Sequence, residues 1–279
     1  MSLVRWLTDR IILGPTRHSL TPVGKSRRNL PLPGVGSLEV WVNRVGVAAA
    51  RPDLYLLKFP GTASRAEDPT DAYAHFWPAL SIEVWAVNPP GYGGSDGRAS
   101  LRHIPSMSEL AFAAVDRAAS GAPVVIAGES LGCVSALHLS ARHPVDALVL
   151  RDPPPLGEII LGRHPKGPLH RLAQALATQL PEGLNTLDNA ANSDAPAVML
   201  LSRQDRVVPF ELQKRVADVY RGPSQHLVLT DADHGDPPTA NELEVFTEMS
   251  HWLWDAVGRG PAKPSRTRGT EADRGPTVT

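Results

Sequence analysis

The stretch Pro123-Val-Val-Ile-Ala127-Gly128-Glu129-Ser130-Leu131-Gly132-Cys133-Val134 decides how the rest of this chain is read. Pro123–Ala127 is a short apolar run, which predicts a strand buried on both faces. Leu131, Val134, Leu137 and Ala141 fall on one helical face, so Leu131–His143 predicts a helix, with Pro144 ending it. Between strand and helix stands Gly-x-Ser-x-Gly. A serine held on so sharp a turn leaves no room for side chains at the flanking positions, which glycine satisfies. Ser130 then stands at a helix N-terminus, where backbone N–H groups and the helix dipole favour developing negative charge. A second match to the pattern, Gly93-Gly94-Ser95-Asp96-Gly97, lacks this setting. It follows Pro89-Pro90-Gly91-Tyr92 and leads to Arg98-Ala99-Ser100 and Pro105, so Ser95 reads as part of a glycine-rich loop.

Outward from this turn, strand-like and helix-like segments alternate. Strands are expected at Leu38–Val45, Leu54–Phe59, Ile82–Asn88, Ala147–Arg151, Ala197–Ser202 and His226–Thr230. Helices are expected at Asp71–Leu80, Ser106–Ala119, Phe210–Tyr220 and Asn241–Val257. Such alternation predicts an α/β domain over residues 37–258, with a mostly parallel central sheet and helices on both faces. Pro153–Ala195 breaks the alternation. It reads as a small cap insertion, partly helical near Leu169–Leu180, with Leu156, Ile159, Ile160 and Leu161 offering apolar surface to an acyl group. Residues 1–36 read as a basic N-terminal arm, and residues 259–279, without periodicity, as a disordered tail.

A serine hydroxyl attacks only when a base takes its proton. Beyond the insertion, the histidines after Ser130 are His226, His234 and His251. His226 starts an expected strand and His251 lies in the last expected helix. His234 stands in the polar loop Thr230-Asp231-Ala232-Asp233-His234-Gly235-Asp236, the kind of segment that carries an imidazole over a sheet edge. His234 is therefore the expected base. For the acid that orients it, Asp205 follows the strand Ala197–Ser202, and Asp152 follows the strand one earlier. Asp231 and Asp233 are too near His234 in sequence to point back at its ring. Asp205 is favoured, because the acid must hold the imidazole from an adjacent loop.

The strand-turn-helix at Ser130, the loop Asn88-Pro-Pro-Gly-Tyr-Gly-Gly-Ser95, Asp205-Arg-Val-Val-Pro209 and the pair His234-Gly235 together resemble the α/β-hydrolase superfamily. The Pro-Gly-Tyr-Gly-Gly-Ser loop is similar to that of its lipase-like and acyl-thioesterase-like serine hydrolases. The resemblance covers about residues 38–258. It implies a serine hydrolase of carboxylic esters or thioesters that forms an acyl intermediate on Ser130. An acyltransferase or amidase with the same triad, or a non-catalytic binding protein on the same fold, remains the alternative. It also implies an oxyanion site built from the backbone N–H of Leu131 and a second N–H after the strand Leu54–Phe59. Many relatives carry His-Gly there; this chain has Pro60-Gly61, and Thr62 is the expected donor.

Composition bounds the alternatives. The chain has 279 residues, 42% hydrophobic and 20% charged, with a formal net charge of −1, so no overall field recruits nucleic acid. Residues 1–28 carry Arg5, Arg10, Arg17, Lys25, Arg27 and Arg28 against Asp9 alone. Peripheral contact of that arm with an anionic membrane is one reading; a solvated end is the other. Cys133 is the only cysteine, which rules out an intrachain disulfide and suits a reducing, cytoplasmic setting. Neither a His-Glu-x-x-His pattern nor a cysteine pair is present, so no metal and no cofactor are expected. The partner expected is a small-molecule or lipid-like acyl substrate.

Overall fold

The computed structural model describes residues 9, 12–162, 174, 177 and 180–259. Eight strands form one sheet: β1 (Ser26–Leu32), β2 (Gly36–Gly46), β3 (Leu54–Phe59), β4 (Ser81–Val87), β5 (Val124–Glu129), β6 (Ala147–Arg151), β7 (Ala197–Ser202) and β8 (Ser224–Leu229). Their spatial order is β1-β2-β4-β3-β5-β6-β7-β8. β2 is antiparallel to β1 and β4, and every pair from β4 onward across the sheet is parallel. The helices of the described residues are α1 (His103–Ala119), α2 (Gly132–Ser140), α3 (Leu156–Gly162), α4 (Thr186–Ala191), α5 (Phe210–Val219) and α6 (Ala240–Arg259).

Helices cover both faces, and the strand sequences show why. In β3 every residue is buried, and alternate residues enter different cores. Tyr55, Leu57 and Phe59 join α1, α2 and α5 on one face. Leu54 and Leu56 join Tyr73, Trp77 and the α6 residues Phe246, Met249 and Leu253 on the other. A parallel strand sandwiched in this way has no solvated face, so its sequence is continuously apolar instead of alternating. The parallel run sends the C-terminal ends of β3 and of β5 to β8 to one edge of the sheet, where ligands of open α/β sheets bind.

Three expectations are corrected. The sheet begins at Ser26, inside the expected arm. β1 is an edge strand, exposed over most of its length and carrying Pro31 next to its end, so neither alternation nor an apolar run marks it. The arm's described cations are also occupied by the domain. Arg17 donates to the carbonyls of Gly91, Ser95 and Gly97. Lys25 reaches Thr70 Oγ1 at 2.8 Å, Arg28 lies over the Trp85 ring and Arg27 sits 3.7 Å from Glu39. The expected helix Asp71–Leu80 is a single 3-10 turn over Ala72–Phe76. Pro78 disfavours helical backbone at Trp77, whose φ is −123° and ψ 62°.

The segment 153–195 is divided. α4 packs against α2 and α5 as the crossover between β6 and β7. Leu156 and Ile160 of α3 are buried in the same core as α1 and α2. Most of the helix expected near Leu169–Leu180, and the tail after Arg259, lie outside the described residues.

Candidate active site

Ser130 follows β5 and precedes α2 with φ 48°, left-handed backbone that a non-glycine residue adopts only under constraint. The constraint is packing. A Cβ on Gly128 would come within 2.7 Å of the Cys133 backbone, and one on Gly132 within 1.9 Å of the Phe59 carbonyl. The turn is tied to the next strand by Ser130 N–H donating to Arg151 O at 2.8 Å. Cys133 is buried with its thiol pKa pushed up by that burial, and its Sγ lies 3.1 Å from Gly128 O. It is a packing residue, not a competing nucleophile.

His234 comes from the loop after β8 and Asp205 from the loop after β7. Ser130 Oγ lies 3.0 Å from His234 Nε2. His234 Nδ1 lies 2.6 Å from Asp205 Oδ2. Asp205 is buried, and its remaining acceptor positions are filled. Oδ1 accepts the N–H groups of Val207 and Val208 at 2.8 and 2.7 Å, and Oδ2 also accepts Gln213 Nε2 at 2.9 Å. A carboxylate with that many donors is held in one orientation. Burial pulls the His234 pKa down, but the hydrogen bond and charge of Asp205, helped by Asp152, outweigh it and leave the pKa raised. The two loops are also latched together: Arg206, next to Asp205, donates through Nε to Asp233 Oδ2 at 2.6 Å.

The other residues weighed from sequence lie elsewhere or play other parts. Ser95 is fully buried, accepts Glu39 N–H at 2.8 Å and donates to Asn88 O at 2.7 Å. His226 Nε2 faces Ser224 Oγ on β8, and His251 is exposed on α6. Asp152 Oδ2 sits 3.8 Å from His234 Nδ1, beyond hydrogen-bond range. Asp152, Asp205 and His234 offer one ligand atom each within 4.8 Å of one another, the one metal-like grouping among the described residues. Nδ1 of that imidazole already faces Asp205 at 2.6 Å and Nε2 faces Ser130, so the donors are matched to each other.

The loop after β3, expected to supply the second oxyanion donor, passes directly beside Ser130. A Cβ on Gly61 would lie 3.3 Å from both Glu129 O and Ser130 Cβ. Among the described residues no acceptor takes the N–H of Leu131 or of Thr62. Thr62 Oγ1 instead donates to Ile12 O at 3.0 Å, bracing the loop from behind. Behind the loop lies an apolar cavity of about 20 Å³ bordered by Leu13, Phe59, Pro60, Tyr92, Ile104 and Leu131.

Two contributors were missed from sequence. Gln213 is fully buried on α5, where it joins Ser202 N–H and Asp205. Its signal was a polar residue on the helical face of Val216 and Ala217. Lys58 is buried at the end of β3, ion-paired with Glu129 and 4.4 Å from the centre of the Tyr73 ring. Burial lowers the Lys58 pKa, and Tyr73 Oη adds a 3.0 Å hydrogen bond to Glu129. A lone lysine in Leu-Tyr-Leu-Leu-Lys-Phe was the available sign.

No protein-family model matches the chain. Two uncharacterized proteins, from two strains of Mycobacterium tuberculosis, are 30% identical over 184 residues, 65% of this chain. The chain spans 63% of the length of these relatives. An esterase from Pyrococcus furiosus aligns at TM-score 0.60 and 16% identity, covering 88% of this chain and 96% of its own. A puromycin-hydrolyzing peptidase of Mycobacterium tuberculosis aligns at TM-score 0.64 and 18% identity, covering 86% of this chain and 41% of its own. The strand order and these likenesses establish that the chain has the α/β-hydrolase fold.

Proposed function

We propose that this α/β-hydrolase-fold protein is a serine hydrolase that cleaves a carboxylic ester or thioester through an acyl intermediate on Ser130. The observation that carries the reading is the unbroken line Ser130 Oγ, His234 Nε2, His234 Nδ1, Asp205 Oδ2, with separations of 3.0 and 2.6 Å. His234 Nε2 takes the Ser130 proton as Oγ attacks the carbonyl carbon. Asp205 holds the tautomer with Nδ1 protonated and stabilises the imidazolium. The tetrahedral oxyanion accepts the N–H groups of Leu131 and Thr62. Its collapse breaks the bond to the leaving group, which takes the proton from His234. Water, deprotonated by the same imidazole, then releases the acid and restores Ser130.

A second reading, amide cleavage by the same triad, is supported by the likeness to the puromycin-hydrolyzing peptidase. A reducing, cytoplasmic setting fits the single buried thiol. No helix of the described residues is long and apolar enough to cross a membrane.

The test is turnover of p-nitrophenyl esters of increasing chain length beside aminoacyl p-nitroanilides. Ester turnover that disappears in Ser130→Ala supports the main reading. Anilide turnover alone selects the amide reading, and turnover that survives Ser130→Ala contradicts both.

A further inference from the structure

His234 has a second carboxylate beside it. Asp152, the residue after β6, is 2% exposed, and its Oδ2 lies 3.8 Å from His234 Nδ1. Its backbone is held at φ 50°, in the left-handed region. That turn aims the carboxylate between β7 and the histidine loop. Oδ1 accepts Ser202 N–H at 3.2 Å, and Oδ2 accepts Gly235 N–H at 3.2 Å. The neighbouring Arg151 donates to Asp236 O, and its Nε lies 3.6 Å from Asp152 Oδ2. The two residues that follow His234 are therefore both held by the end of β6.

Resting on the triad reading above, we propose that Asp152 is a positioning residue for His234. It fixes the loop through Gly235 and supplies a second negative charge to the imidazolium formed when Ser130 gives up its proton. Burying a carboxylate is costly, and an apolar residue would end β6 at less expense. The 3.8 Å separation is too long for a hydrogen bond and short for Coulomb attraction in a shielded site. The two acids thus divide the work: Asp205 sets the tautomer and Asp152 adds charge.

The groups facing His234 are Asp205 from the β7 loop, Asp152 and Arg151 from β6, the Ser130 hydroxyl, and Asp233 of its own loop, itself paired with Arg206. Arg151 opposes the imidazolium and the carboxylates favour it. Neutralising Asp152 removes one favourable charge, so the His234 pKa must fall. An opposite charge within about 4–6 Å is worth about one unit or more. The acid limb of kcat/KM should then move about one unit toward acid, and kcat should drop about tenfold.

The deciding measurement is an NMR titration of the His234 ring in the Ser130→Ala background, with and without Asp152→Asn. Asp152→Gly is the second variant, since glycine suits φ 50° whatever becomes of the side chain. The same substitutions in the active enzyme are assayed on an activated ester across pH. Both folded variants should show a His234 pKa lowered by about one unit. An unshifted titration in either folded variant overturns the proposal. So does a His234 pKa at or below the ordinary histidine value in the Ser130→Ala parent, a measurement that needs no Asp152 variant. Retained turnover in Ser130→Ala removes the triad reading itself. An inactive Ser130→Ala with an unshifted titration removes this inference alone.

Discussion

Replacing Gly132 by alanine adds one methyl group at the most crowded point of the nucleophile turn. The new Cβ would lie 1.9 Å from Phe59 O and 2.7 Å from Phe59 C, both backbone atoms of β3. Real Cβ contacts essentially never fall below 3.0 Å, so the start of α2 and the end of β3 must separate by at least about 1 Å. Overpacking against rigid backbone costs about 1–3 kcal/mol, which for a domain of this size lowers Tm by roughly 2–6 °C. The larger effect is on chemistry. Phe59 leads into the loop Pro60-Gly61-Thr62, and Gly132 lies two residues past Ser130, so the separation opens the nucleophile against its oxyanion donors. A misplacement of about 1 Å in such a site costs about 10²-fold in kcat. Gly157→Ala in α3 is the control, because its nearest neighbour would be Leu180 Cδ1 at 3.9 Å. It should leave Tm unchanged or slightly higher and kcat unaffected. Thermal unfolding followed by circular dichroism, with initial rates on an activated ester, measures both quantities. Gly132→Ala with wild-type Tm and kcat would refute the packing argument for the turn.

Ser130→Ala should lower kcat by about 10⁵–10⁶ with the fold intact, as the members of a triad act as a unit. Ser95→Ala should keep full activity yet lose about 1–3 kcal/mol in denaturant titration, since it gives up two buried hydrogen bonds. Asp205→Asn should reduce kcat by about 10⁴, because the amide permits the wrong imidazole tautomer and cannot stabilise the cation. Rates should rise with pH through an apparent pKa above the ordinary histidine value, as the base must be neutral and its pKa is raised. By linkage, the same shift contributes stability that is full below the ordinary pKa and lost as pH rises through the folded one. A rate that is flat or falling with pH across the neutral range would contradict both statements.

How legible the molecule was in its sequence follows from which surfaces each segment buries. β3, β5 and β7 are covered on both faces, so their apolar runs announced them within a residue or two. β1 is an exposed edge whose pairing with β2 is set by the tight turn at Pro33-Gly34, a turn signal that hydropathy does not carry. The nucleophile turn was readable because glycine is demanded at two close backbone approaches. That His234 would meet Ser130 was readable from its loop and from chain order. Asp205 was favoured over Asp152 on position alone, although both follow parallel strands at the same edge. Only coordinates distinguish 2.6 Å from 3.8 Å. Gln213 and Lys58 stayed hidden for a related reason. Each looked like a stray polar residue in an apolar pattern, and its partner lay on an element distant in sequence or beyond the turn.

The proposed mechanism stands or falls on Ser130 being the hydroxyl activated by His234, the imidazole that Asp205 orients. The most direct measurement is labelling with a fluorophosphonate probe, followed by peptide mass mapping to locate the adduct. The geometry predicts a single adduct on Ser130, absent in Ser130→Ala and formed far more slowly in His234→Ala, with Ser95 unmodified. An adduct on Ser95 or another serine, or labelling of Ser130 at an undiminished rate in His234→Ala, would contradict it.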